Sequence, residues 1–238
     1  MPGLERAMSQ LRLFFPPDWS VAYLKAEGVP LLQTIEMGAG AMLFAGIAGL
    51  LMALYIGARL PGSRLLYSCL ATVRAIPDLT LAILCVMLVG IGPAAGLLAL
   101  SVFYTAAMGK IFADLFVSAD PGPVDVLRAT GAGSVSVALF GLLPLRLNDL
   151  LTYGAYEFES AMRAAVIVGT VAAGGIGTEL VSAINETDYR HVTTLVIMLT
   201  VLIAVFDKLA WLVRRYPPGT PTGSGHRSLP QSVDCSRD

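Results

Sequence analysis

Two stretches of this chain carry no charged residue at all, Met37 to Ala58 and Leu79 to Gly109. A helix rises ~1.5 Å per residue and the hydrocarbon core of a bilayer is ~30 Å thick, so about 20 apolar residues cross it. The first stretch meets that length by itself. The second is too long for one span and is interrupted by Gly90-Ile91-Gly92-Pro93, a sequence that turns a chain well. Composition agrees: 14% of residues are charged, against roughly 25% in a soluble domain. With 55% hydrophobic residues and a mean hydropathy of +0.71, the chain reads as an all-α integral membrane protein.

About five transmembrane helices are predicted. They run from about Met37 to Ala58, Leu65 to Val89, Ala94 to Phe116, Asn148 to Val171 and His191 to Val213. The second carries Arg74, Pro77 and Asp78, and the fourth is interrupted by Glu157, Glu159 and Arg163. Basic residues set the direction. Arg59, Arg64, Arg74, Arg128, Arg146, Arg214 and Arg215 gather on one side. On the other, Arg6, Arg12, Lys25 and Arg190 are offset by Glu5, Asp18, Glu27, Glu179, Glu186 and Asp188. The N-terminus is therefore expected outside and the C-terminus in the cytoplasm. Residues 1–30 read as an external, interfacial segment, 31–215 as the membrane domain, and 216–238, rich in Pro, Gly and Ser, as a disordered cytoplasmic tail.

The same residues exclude several functions. A net charge of -1, from 16 basic and 17 acidic residues, offers no global basic field for nucleic acid. Cys69, Cys85 and Cys235 form no CxxC and lack a histidine partner, so neither a disulfide framework nor a zinc site is expected. His191 and His226 lie at a span edge and in the tail, and no nucleophile with a general base falls inside the membrane, which argues against an intramembrane hydrolase. No G-x-x-x-x-G-K-[ST] phosphate loop is present.

Residues 118–147 form a long connection between the third and fourth spans, where bundle connections usually take about 2–8 residues. Asp120-Pro121-Gly122-Pro123 ends one helix and offers a proline for the first turn of the next, predicted over Pro123 to Thr130. Asp125 is expected in that first turn, Val124 and Leu127 share a face, and Gly131 stops the helix. A second short apolar segment, Val135 to Leu143, is expected to end at Pro144. Such a helix suits docking into a partner's groove, and it equally fits an ordinary amphipathic surface loop.

This connection resembles the cytoplasmic pattern E-A-A-x3-G-x9-I-x-L-P of permease subunits of binding-protein-dependent ABC importers. Counting from Asp125, Gly131 falls at the glycine and Leu143-Pro144 at the closing Leu-Pro. Asp125 stands for the glutamate, Val126 and Leu127 for the alanines, and Gly141 for the isoleucine. Further segments are similar to the phosphonate-type branch: Arg74-Ala75-Ile76-Pro77-Asp78-Leu79, Gly109-Lys110-Ile111-Phe112-Ala113-Asp114, Leu127-Arg128-Ala129-Thr130-Gly131-Ala132, Phe158-Glu159, Arg163-Ala164-Ala165 and Ala173-Gly174-Gly175-Ile176-Gly177-Thr178-Glu179-Leu180. Phe14-Phe15-Pro16-Pro17-Asp18-Trp19-Ser20 is similar too. Many members carry an extra span ahead of that segment, so either a short form or a missing upstream start is expected.

The resemblance implies a type I ABC importer permease fold and a permease subunit in the bacterial inner membrane, moving phosphonate or a related oxyanion such as phosphate or phosphite. The chain itself would be no enzyme and hold no cofactor, with ATP and Mg on partner ATPase subunits. Further partners would be a periplasmic or lipid-anchored solute-binding protein, a second permease subunit and membrane lipid, with no nucleic acid. Asp125, Val126, Leu127, Arg128, Ala129, Thr130, Gly131, Leu143 and Pro144 would couple to the ATPase.

Charges at membrane depth cost roughly 2.5–3.5 kcal/mol each on insertion scales, so they should be paired or functional. Glu159 and Arg163 are four apart and can pair, and so are Arg74 and Asp78, while Glu157 points about 200° away from Glu159. Arg74, Asp78, Glu157, Glu159, Arg163 and Gly175 are the candidates for a solute pathway or gate, and the reading favoured for the two charge pairs is neutralised structural bridging between packed helices. Gly174-Gly175-Ile176-Gly177 reads as an external turn whose N–H groups would be open to an anion if it dips into the pathway. The alternative function is an autonomous secondary transporter or channel that uses the Glu157, Glu159 and Arg163 cluster.

Overall fold

A computed structural model describes residues 15, 17 and 19–215. The expected tail, with His226 and Cys235, and most of the residues before Trp19 lie outside the described residues.

Helix α1 (Val21–Ala26) starts where the Ser20 side chain accepts the Tyr23 N–H, and it leads directly into α2 (Gly28–Gly57). Together they make one apolar helix of 37 residues, so the first span begins well before Met37. The second expected span is broken. Helices α3 (Ser63–Arg74) and α4 (Asp78–Val89) meet at 91° instead of forming one rod from Leu65 to Val89. Pro77 lacks an N–H and forces extended backbone around itself, so the helical ladder cannot pass through it. Gly90 and Gly92, both at positive φ, then turn the chain into α5 (Pro93–Val117), as the sequence indicated.

Helix α5 is the core of the bundle. Leu100 and Tyr104 are fully buried on it, and it lies closely against α2. At the crossing a Cβ on Gly49 would stand 2.9 Å from the Gly109 backbone nitrogen, so the two backbones touch only because both residues lack a side chain. Helix α6 (Pro121–Ala129) lies outside the spans. The chain then enters α7 (Ser134–Val137), a π-turn at Ala138–Leu142 and α8 (Leu143–Val168), which run on as a single span from Ser134 to Val171. The segment from Val135 therefore does not stop at Pro144. The wider π-turn immediately before Pro144 absorbs the ring and the missing N–H that would otherwise break an α-helix. A second π-turn at Gly169–Ala173 ends the span. Short α9 (Ile176–Asn185) folds back against it, and α10 (Tyr189–Arg215) closes the described chain.

Among the described residues, four helices are thus long and apolar enough to cross a membrane, and the bent α3–α4 pair brings the number to five if it counts as one span. Their outward faces carry Leu43, Phe44, Ile47, Met87, Leu88, Val201 and Val205, the residues expected against lipid.

Candidate functional site

Helix α6 begins at Pro121, two residues earlier than the spacing suggested, with Asp120 accepting the Gly122 N–H at 3.0 Å. Asp125 therefore lies beyond the first turn and is held by Arg128 at 3.1 Å instead of by the helix terminus. The apolar pair Val124 and Leu127 does not face outward: Val124 is buried and Leu127 packs on the chain's own core. The face left open carries Asp125, Val126, Arg128, Ala129 and Thr130, with Val126 67% exposed. Gly131, at φ +82°, turns the chain away. Leu143 and Pro144 lie inside the fourth span just after its π-turn, Leu143 half-buried and Pro144 exposed.

Two departures from the family pattern explain each other. A Cβ on Gly141 would stand 2.9 Å from the Leu127 side chain, so the larger residue at 127 occupies the space that the smaller residue at 141 leaves. Arg146, which the sequence showed only as a positive charge, ties the stems of the connection. It donates to the Ser118 carbonyl at the end of α5 at 2.6 Å and pairs with Asp149 at 2.9 Å.

Inside the spans, Arg163 pairs with Glu159 at 2.8 Å, as the spacing predicted. The same guanidinium nitrogen reaches Asp207 on α10 at 3.3 Å, and Arg214 donates two bonds of 3.2 Å to the other oxygen of Glu159. Two acids and two arginines thus join α8 to α10. Only the tertiary fold brings Asp207 and Arg214 here, from more than forty positions along the chain. Lys110 and Asp114 pair at 2.8 Å, and Tyr67 completes a triad with them from α3.

Arg74 and Asp78 do not pair. The right-angle break at Pro77 separates two side chains that an unbroken helix would set one above the other. Among the described residues Arg74 makes neither a hydrogen bond nor an ion pair, although its field reaches the buried carboxylate of Glu157. Beside the break lies a cavity of about 460 Å³ that brings together Arg74, Asp78 and Arg163. Two residues missed from the sequence, Tyr104 and Ser160, line it as well, with the Tyr104 hydroxyl 3.2 Å from that of Ser160. Their only sequence signal is a polar group in an apolar span. Glu157 and Glu159 do not line this cavity.

Gly174 and Gly175 have positive φ, as a tight turn requires, and a Cβ on Gly174 would strike Pro93. The Gly175 and Ile176 N–H groups are not open to an anion. They donate to Gln33 at 3.2 Å and Thr34 at 2.9 Å, which sews the turn to α2. Among the described residues, no group of three or more His, Cys, Asp or Glu side chains is arranged to hold a metal ion.

Four long apolar helices with a bent pair among them, a helix held outside them and the Leu143-Pro144 dipeptide that follows it agree with one family. Residues 45–216 match the binding-protein-dependent transport system inner membrane component. The chain belongs to that family. The permease is 30% identical over 206 residues to the phosphite transport system permease protein PtxC of Stutzerimonas stutzeri, covering 84% of this chain and 74% of PtxC. It is 35% identical over 142 residues to the phosphate-import permease protein PhnE of Mycolicibacterium smegmatis, covering 60% of this chain and 27% of PhnE. A further Stutzerimonas stutzeri relative, 35% identical over 145 residues, is spanned over 56% of its length. A chain of the inward-facing MetNI methionine ABC transporter shares the fold with a TM-score of 0.71 at 19% identity, covering 82% of this permease and 98% of that chain. The permease is a multi-pass inner-membrane protein with the type I ABC importer fold.

Proposed function

We propose that this permease subunit carries phosphite, phosphonate or phosphate inward across the bacterial inner membrane, driven by ATP hydrolysed with Mg on a separate ATPase. The observation that carries the coupling is helix α6. It stands outside the spans with Asp125, Val126, Arg128 and Ala129 uncovered, on stems tied together by Arg146. A short rigid helix of this kind transmits a push from a partner to both spans it joins. Its open face fits a groove of the ATPase on the cytoplasmic side, with the N-terminus outside and the C-terminus inside. A solute-binding protein delivers the oxyanion from outside, and a second permease subunit completes the pathway. The solute class rests on the likeness to PtxC and PhnE and on the phosphonate-type segments along the chain. An autonomous carrier fits less well, because Glu159, the acid it would need to load and unload, is held by two arginines.

Purification of the tagged permease from its native membrane in mild detergent, followed by mass spectrometry and ATP-driven uptake in proteoliposomes, tests this reading. An ATPase and a solute-binding protein should accompany the chain, and Gly131→Trp should abolish uptake while the chain still inserts. Repeated recovery without an ATPase, or unchanged uptake by Gly131→Trp, removes α6 as the socket.

A further inference from the structure

The cavity at the broken span gathers positive charge that the ion pairs of the bundle leave open. Several charges in the spans are matched, Lys110 by Asp114 and Arg163 and Arg214 by Glu159, whereas Glu36 and Glu157 have no ion pair among the described residues. Here Arg74 stands exposed with all its N–H groups unspent on hydrogen bonds among the described residues. Arg163 uses one terminal nitrogen for both of its carboxylates and keeps the rest of its guanidinium free at the cavity wall. Tyr104 donates to the Ser160 oxygen, which leaves the Ser160 proton to be given elsewhere. The volume, about 460 Å³, exceeds several times the ~30 Å³ share of one water, so a small hydrated anion fits.

We propose that Arg74, Arg163 and Ser160 form a way-station for the solute within the permease, a binding site for a tetrahedral phosphorus oxyanion that still carries an acidic hydroxyl. The inference rests on the reading of the solute as an oxyanion. Two guanidinium forks present planar sets of donors that match pairs of oxygens on one tetrahedral centre. Ser160 supplies a further donor. Asp78, in the same wall, has one oxygen engaged by the Leu79 N–H at 2.8 Å at the start of α4. Its other oxygen accepts a proton from a hydroxyl on the anion. A carboxylate in an anion site repels an oxyanion that has no proton to give, so the pocket admits phosphate, phosphite or a phosphonate and disfavours sulfate. The break that separates Arg74 from Asp78 is therefore what makes the site: in an unbroken helix the two would neutralise each other.

The test uses the permease assembled with its ATPase and binding protein in proteoliposomes, with phosphate, phosphite, methylphosphonate and sulfate as probes. Arg74→Gln should raise the KM for phosphorus oxyanions by at least about tenfold, the loss of one charge-assisted bond, with the ATPase still bound. Arg74→Lys should fall between. Asp78→Asn should shift the sulfate-to-phosphate uptake ratio towards sulfate by a similar factor, a change of selectivity that misfolding would not produce. A second readout is equilibrium binding of radiolabelled phosphate to the permease–ATPase complex without the binding protein, which wild type should show and Arg74→Gln should lack. Uptake of phosphorus oxyanions by wild type with an unchanged KM in Arg74→Gln and an unchanged ratio in Asp78→Asn overturns the site and leaves the importer reading standing. Failure of wild type to move any of these oxyanions overturns both.

Discussion

Helix α8 carries charge on two faces, and the faces are built in opposite ways. Towards α10, Glu159, Arg163, Asp207 and Arg214 form a network in which each charge has an opposite within 3.3 Å. Towards the broken span, Ser160 and the far side of Arg163 meet an Arg74 that has no ion-pair partner among the described residues. In the sequence the two settings look alike, since Glu159 and Arg163 are four apart and so are Arg74 and Asp78. Spacing predicts a pair only while the helix between the residues stays intact. It does so between 159 and 163, and it does not across Pro77.

The contrast can be broken by substitution. Glu159→Ala strands Arg214 and leaves Arg163 with Asp207 alone, and it should cost the purified permease about 2 kcal/mol, read as a fall in apparent Tm in detergent. A loss no larger than that of an exposed surface change would mean that the network holds nothing together. Gly141→Ile should cost about 2 kcal/mol by driving a side chain into Leu127, and Leu127→Ala in the same chain should restore most of it. Without that rescue, the exchange of volume between 127 and 141 is the wrong account. Asp207→Asn removes the longer and more exposed arm of the network, at 3.3 Å, and should cost less than about 1 kcal/mol. Arg74→Gln should change stability by no more than about 0.5 kcal/mol while it impairs transport. A drop in Tm matching that of Glu159→Ala would make Arg74 part of the framework.

The apolar stretches were legible because period and length alone decide whether a helix can cross a bilayer: the third and fifth spans lie within two residues of their expected bounds, while the first and fourth begin about four turns earlier than expected. The helix outside the spans was legible too, from Asp120-Pro121 at its start and Gly131 at its end. Its orientation was not. Val124 and Leu127 read as a docking face, yet they serve the permease's own core, because a helical period cannot say which apolar surface a stripe meets. Pro144 misled in the other direction. A proline read as a stop lies inside a continuing span, where one π-turn accommodates it.

Tyr104, Ser160 and Arg146 carried little local signal, since a single polar residue in a span gains meaning only from its neighbours in space. Charge-free length, the family pattern around Asp125 to Pro144 and the small residues at Gly49 and Gly109 were determined by the sequence itself, because each depends on residue type and near neighbours alone. Which arginine is neutralised and which stands open, and where two glycines let backbones meet, were decided by the tertiary structure. Partners such as Thr34 and Ile176 lie 142 positions apart in this chain, and only the folded arrangement brings them within reach.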